Sequence, residues 1–197
     1  CIRAGARGRF FNTVDLVNRL EAEARAGKPG RIADQLSRLD FVILDELWRA
    51  LRAGRGMVDR VDALTRLNRQ RGVGLAMISH TMSDLLALPT EEERMKARGF
   101  VERAGMVVAG GLPSAEMSML TSAIMLSKAE EDLLISWQDP PAWDSSTGGE
   151  AEPPGRGKFF VKVGGHPGTP LKVQLMAMGL AANDTNRMWH AGDRLPP

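Results

Sequence analysis

The 197-residue sequence predicts an α/β fold, a parallel sheet flanked by helices. Three observations carry that prediction. Phe41-Val42-Ile43-Leu44 is an unbroken apolar run leading into Asp45-Glu46, the pattern of a strand buried on both faces. GLAMIS (74–79) and MVVAGG (106–111) are further runs of the same kind. Helical patterns separate them, first over 57–70, where Met57, Val61 and Leu64 share one face, then over 82–88 and 91–104. Strands alternating with helices imply crossover units of a parallel sheet.

Each remaining stretch has its own signal. RFFN (9–12) is a short apolar run ending on a capping-type residue. Val14, Val17, Leu20 and Ala24 recur at helical spacing from Thr13 to Ala26, with Asn12 or Thr13 as cap, and Gly27, Pro29 and Gly30 stop the helix. A short helix follows over 31–38. Thr90 and Glu93 form a capping box for the 91–104 helix, and Pro113 suits the first turn of a helix over 114–123. Residues 138–157, QDPPAWDSSTGGEAEPPGRG, read as a loop or linker. KFFVKVGG (158–165) and LKVQLM (171–176) then form a small C-terminal β-hairpin around His-Pro-Gly. The predicted organisation is therefore a core over 1–137, a linker over 138–157, a hairpin over 158–178 and a polar tail over 179–197.

Composition narrows the class. The chain is 43% hydrophobic and 25% charged, which suits a globular fold, and a net charge of +2 is too small to argue for nucleic acid. The charge is local: seven arginines lie between Arg49 and Arg71, against Asp59 and Asp62. They form either a phosphate-facing cluster or one solvated helix face. The single cysteine, Cys1, excludes an internal disulfide framework and suits a reducing cytosol. No apolar run is long enough to span a membrane, and no signal-peptide pattern is present. The chain begins on Cys-Ile-Arg, without methionine, and reads as a fragment or a product cut from something longer.

The acidic pair is the strongest candidate for chemistry. Open α/β sheets bind ligands beyond the carboxyl ends of their strands. In a nucleoside triphosphatase that position suits Asp45 holding Mg²⁺ through water and Glu46 polarising the attacking water. The alternative is a strand ending in a solvated acidic turn. Ser79 and His80, at the tip of the next strand, are candidate γ-phosphate sensors or an ordinary polar turn. A phosphate loop should accompany such a strand, yet no GxxxxGK[ST] occurs in the sequence. The nearest string, AEARAGKP (22–29), ends a helix and places Pro29 where a hydroxyl is needed for Mg²⁺. His166 and His190 have no metal-ligand partners at the usual spacing. Trp137, Trp143 and Trp189 read as packing anchors in or near loops.

Two resemblances appear. RGRFFNTVDLVNRLEAEARAGKPGRIADQLSRLDFVILDEL, residues 7–47, resembles the middle of the IstB-type helper ATPases of transposition. That family continues with Gly-Tyr where this chain has Trp48-Arg49. From about Asp45 the chain instead resembles the C-terminal part of conjugative-transfer (type IV secretion) ATPases of the TraC/TraG-like group. The strings are DELWRALRAG, LNRQRGVGLAMISHTMSDL, FVERAGMVVAGGLPSAEM, GRGKFFVKVGG and NDTNRMW. Relatives commonly carry glutamine where this chain has His80. The join falls on the string both families share, so the chain reads as a hybrid reading frame, from recombination or erroneous assembly, with a single diverged lineage as the alternative.

The resemblances imply an incomplete P-loop NTPase core of RecA/AAA type that lacks the phosphate-loop strand. They imply ATP and Mg²⁺ as cofactors, with Asp45 on the metal, Glu46 activating water, and Arg69 offered to a neighbour's nucleotide. They also imply a homo-oligomer (a hexameric ring) in the cytoplasm or peripheral to the inner membrane. Its partners would be secretion-channel or transposition components, and DNA. The rival readings are an IstB-like DNA-binding transposition helper and an inactive fragment. In such folds the phosphate-loop strand lies between the strands at 74–79 and 106–109. Without it their facing edges should be unpaired, and the isolated chain should bind ATP poorly and self-associate.

Overall fold

The computed structural model describes residues 6–27, 31–36, 38–53, 56–146 and 148–174. Cys1, His190, Trp189 and the tail predicted over 179–197 lie outside the described residues, as do residues 175–178 of the predicted hairpin.

The parallel sheet predicted from the apolar runs is present. Three strands form it: β1 (Gly8–Asn12), β2 (Phe41–Asp45) and β3 (Gly74–Met77), in the order β1-β2-β3. Both pairings are parallel, with Gly8 opposite Phe41, Asn12 opposite Asp45, Phe41 opposite Gly74 and Leu44 opposite Met77. In β2 the side chains of Val42 and Leu44 are fully buried, whereas Phe41 and Ile43 are half-buried. The strand therefore buries one face more completely than the other, which the unbroken apolar run did not distinguish. β1 has no counterpart among the predicted strands. Its sequence mixes exposed Arg9 and Phe10 with half-buried Phe11, and it is held by non-local pairing to β2.

Helices pack around this sheet. In chain order they are α1 (Thr13–Arg25), α2 (Arg31–Leu36), α3 (Leu47–Arg52), α4 (Met57–Gln70), α5 (Met82–Leu86), α6 (Glu91–Glu102), α7 (Ser114–Ala123) and α8 (Lys128–Ser136). The capping box of α6 forms as the sequence predicts: Thr90 accepts from the Glu93 N–H, and the Glu93 carboxylate accepts from the Thr90 N–H. α8 has a second such box between Ser127 and Glu130. Pro113 is the residue before α7 rather than a member of its first turn.

The third predicted strand, β4 (Met106–Ala109), departs from the parallel arrangement. It pairs antiparallel with β7 (Lys158–Val163), which pairs antiparallel with β8 (Thr169–Lys172), giving a second sheet in the order β4-β7-β8. The predicted C-terminal hairpin is thus present and completes a sheet through β4. Within the stretch read as a loop, β5 (Trp143–Asp144) and β6 (Gly149–Glu150) make a two-residue ladder. Trp143 is 70% exposed and anchors nothing, whereas Trp137 is buried.

One core joins both sheets. Leu16, Leu44, Leu51, Phe100, Leu134 and Phe160 belong to the same buried cluster. Each such side chain, taken out of water, contributes about 1.5–3 kcal/mol. Among the described residues, no strand pairs with the outer edge of β3 or with the edge of β4 that faces away from β7. A groove of about 600 Å³ lies beside β3, lined by Leu75 and Met77 of that strand, by Phe100, and by Met106 where β4 begins. The open edges expected of a sheet without its phosphate-loop strand are therefore present.

Candidate functional site

The site is built at the carboxyl ends of β2 and β3. The two strand ends are fixed to one another by backbone: the Ile78 N–H donates to the Leu44 carbonyl at 2.9 Å, and the Leu47 N–H donates to the Ile78 carbonyl at 2.9 Å. Asp45 closes β2, and the Thr13 hydroxyl at the start of α1 donates to its carbonyl. Thr13 is 1% exposed, so this bond also satisfies a buried hydroxyl.

Asp45 and Glu46 are adjacent in sequence and differently held. Asp45 Oδ1 accepts from the Glu46 N–H at 3.0 Å. Glu46 has φ 52° and ψ 45°, the left-handed conformation, and among the described residues it is the one non-glycine with positive φ. The chain must turn sharply there to pass from β2 into α3, and a non-glycine residue in that region is strained. The Glu46 carboxylate pairs with Arg49 one turn on, Nη1 to Oε2 at 2.7 Å.

The sensor candidates lie at the neighbouring strand tip. Ser79 is half-buried, and its hydroxyl donates to the Thr81 carbonyl at 3.4 Å. His80 is exposed, with its ring 6.5 Å from that of Trp48 at an interplanar angle of 57°. Trp48 also has Arg49 and Arg52 over its ring, at 5.6 Å and 5.9 Å. Its indole N–H is buried with no hydrogen-bond partner among the described residues. The sequence reading passed over Trp48 as a site residue. The signal available was its place, two residues after Glu46, between the two strand ends.

Asp45, Glu46, Ser79 and His80 are thus brought to one end of one sheet. Arg69 falls in the last turn of α4, and its side chain lies outside the described residues. Mg²⁺ in phosphoryl-transfer sites takes one or two carboxylates, several waters and the substrate phosphates. Asp45 can supply one such carboxylate, but the sequence has no phosphate loop to bring the phosphates. Among the described residues no three His, Cys, Asp or Glu side chains are grouped to hold a metal. The residues present do not make a complete Mg²⁺ site. His166, at the hairpin turn, is exposed. No helix among the described residues is long and apolar enough to cross a membrane.

A second polar cluster fastens the second sheet. Lys162 of β7 is 6% exposed, and its ammonium is 3.0 Å from the Glu130 carboxylate of α8. Glu130 also accepts from the Gly168 N–H at 2.7 Å and the Ser127 N–H at 2.7 Å. Burial opposes its charge, but the N–H groups of Ser127 and Gly168 and the Lys162 ammonium outweigh it and lower its pKa to about 2. This cluster is structural: it joins a helix start, a strand and a turn.

Comparison with known proteins returns both resemblances read in the sequence. No curated protein matches the chain. Residues 1–53 match the model of the family described as IstB-like ATP binding protein. Among solved structures the chain is similar to VirB4 of Thermoanaerobacter pseudethanolicus, with a TM-score of 0.53 and 16% identity. That similarity covers 71% of this chain, so it extends well past residue 53, and it covers 32% of the other chain. This chain therefore spans about a third of VirB4's length, with a beginning similar to the IstB-like family and an α/β fold similar to that part of VirB4.

Proposed function

We propose that this chain is part of the motor of a DNA-mobility ATPase, most like the conjugative-transfer type. In this reading it carries the carboxylate end of a nucleotide site without the phosphate cradle. The observation that carries the reading is Asp45-Glu46 at the carboxyl end of the central strand of a parallel sheet, beside Ser79 and His80. In an intact relative, Asp45 would share Mg²⁺ with water and phosphates, and Glu46 would orient the attacking water. Arg69 would complete a neighbouring subunit's site in a ring of identical chains. The ring would work at the inner membrane with secretion-channel components.

Those roles need phosphate-binding amides and a lysine that the sequence does not contain, so the isolated chain is expected to bind ATP weakly and turn it over negligibly. Calorimetric titration with ATP, with and without Mg²⁺, is the test. Tight Mg²⁺-dependent binding with turnover abolished by Glu46→Gln would show a complete ATPase and overturn the partial-motor reading. The match of residues 1–53 to the IstB-like family supports a second reading, an ATP-dependent DNA-binding transposition helper. Duplex DNA binding that weakens steeply with added salt would favour it.

A further inference from the structure

Residues 138–155 carry the carboxylates of Asp139, Asp144, Glu150 and Glu152 and no basic side chain. Within them the β5–β6 ladder holds Trp143 out in solvent, 70% exposed, with Glu150 as its cross-strand partner. The ladder is a firm mount. The Gly148 N–H donates to the Asp144 carbonyl at 3.0 Å, and the Ala151 N–H donates to the Ala142 carbonyl at 2.8 Å. At its base, Gly155 lies so close to buried Trp137 that an added Cβ would stand 2.3 Å from the Trp137 carbonyl oxygen. Lys172 and Arg156 answer Glu152, whereas Asp139 and Glu150 meet no cation among the described residues. A tryptophan fixed open in this way is among the residue types that most often anchor a protein contact.

The complementary surface lies on the same chain. Ala50 and Met57 are buried against one another, which joins the end of α3 to the start of α4, where Arg52 and Arg60 are exposed. Neither arginine meets a carboxylate among the described residues. Arg52 lies over the Trp48 ring, and Arg60 reaches the Met57 sulfur at 4.0 Å. This surface therefore already holds one indole ring by a guanidinium. We infer that the β5–β6 hairpin docks on the Arg52–Arg60 surface of a second copy of this chain. The Trp143 ring stacks on one guanidinium, and Glu150 pairs with the other. The two patches differ, so each copy gives its hairpin to one neighbour and its arginines to another, and the contact builds a ring or a filament. It includes neither Asp45 nor Glu46, so it stands apart from the motor reading, and either can fail alone.

Charge reversal at exposed positions, read by sedimentation velocity on the full chain, is the test. The native chain should associate as its concentration rises, and raising salt from about 0.05 M to about 0.5 M should disperse it. Trp143→Ala should weaken association about thirtyfold. Glu150→Arg alone and Arg60→Glu alone should each stay monomeric, because each sets like charges face to face. Their equimolar mixture should associate again, since every hairpin then finds an acceptor of opposite charge. A mixture that stays monomeric overturns the proposal, as does a native chain that stays monomeric at its highest soluble concentration. Association that ignores both salt and Trp143→Ala also overturns it, and assigns self-association to the open strand edges. Fluorine NMR of the fluorotryptophan-labelled chain adds a second readout, with the Trp143 signal identified by its loss in Trp143→Ala. That signal should respond fully to exchange of water for heavy water in the dilute chain and lose the response on association. A signal shielded at every dilution places Trp143 beneath its own chain and overturns the contact.

Discussion

Glu46 combines a functional and a conformational anomaly in one residue. Its carboxylate is paired with an exposed arginine, a contact worth little in water, while its backbone occupies the left-handed region. Glu46→Gly should relieve that strain and raise unfolding stability by about 1 kcal/mol, read from the denaturant midpoint. Glu46→Gln keeps the strain and should change stability by less than about 0.5 kcal/mol. A gain in the glycine variant alone would separate the backbone effect from the charge. The acidic pair itself was legible, because two carboxylates after four apolar residues is a local pattern. The positive φ was not: nothing in glutamate asks for it, and the turn from β2 into α3 imposes it through Leu47, whose N–H is held by Ile78.

Elements were legible where their signal was local. The capping box at Thr90 and Glu93 formed, and the apolar runs read at 41–45, 74–79 and 106–111 each hold a strand, the last two ending earlier, at Met77 and Ala109. β1 was not, since two of its central residues are exposed and pairing alone makes it a strand. α8 carried a readable Ser127-x-x-Glu130 signal that was passed over, and its box does more than start a helix. Glu130→Ala removes the partner of a buried ammonium and the acceptor of the Gly168 N–H, and should cost about 3 kcal/mol in chemical denaturation. Glu130→Gln keeps an acceptor and should cost less. The pH dependence has a definite sign. Glu130 is lowered from 4.5 to about 2, so its stabilisation is complete above pH 4.5 and is lost as pH falls toward 2. Thermal melts should show this acid loss in the native chain and a flatter profile in Glu130→Gln.

At the scale of the whole molecule, the lesson lies in what the periodicity of a strand does and does not specify. An apolar run announces burial but names no partner. The sequence therefore gave β4 correctly as a strand, while its antiparallel alliance with β7, some fifty residues away, was beyond reach. The gap beside β3 was foreseeable for a different reason: the missing phosphate loop implied a missing strand. Both sheets nevertheless share one core, from Leu16 to Phe160. Unfolding should accordingly be a single cooperative transition, with fluorescence of buried Trp137 and far-ultraviolet circular dichroism coinciding.

The tie among Ser127, Glu130, Lys162 and Gly168 spans the stretch that holds the β5–β6 ladder, and so it makes the covalent chain there dispensable. A chymotryptic cut after the exposed Trp143 would leave β7 hydrogen-bonded to β4, Phe160 in the core and Lys162 on Glu130. The two pieces would then migrate as one particle on a native gel and as two under denaturing conditions. Lowering the pH toward the point where Glu130 takes up its proton would part them.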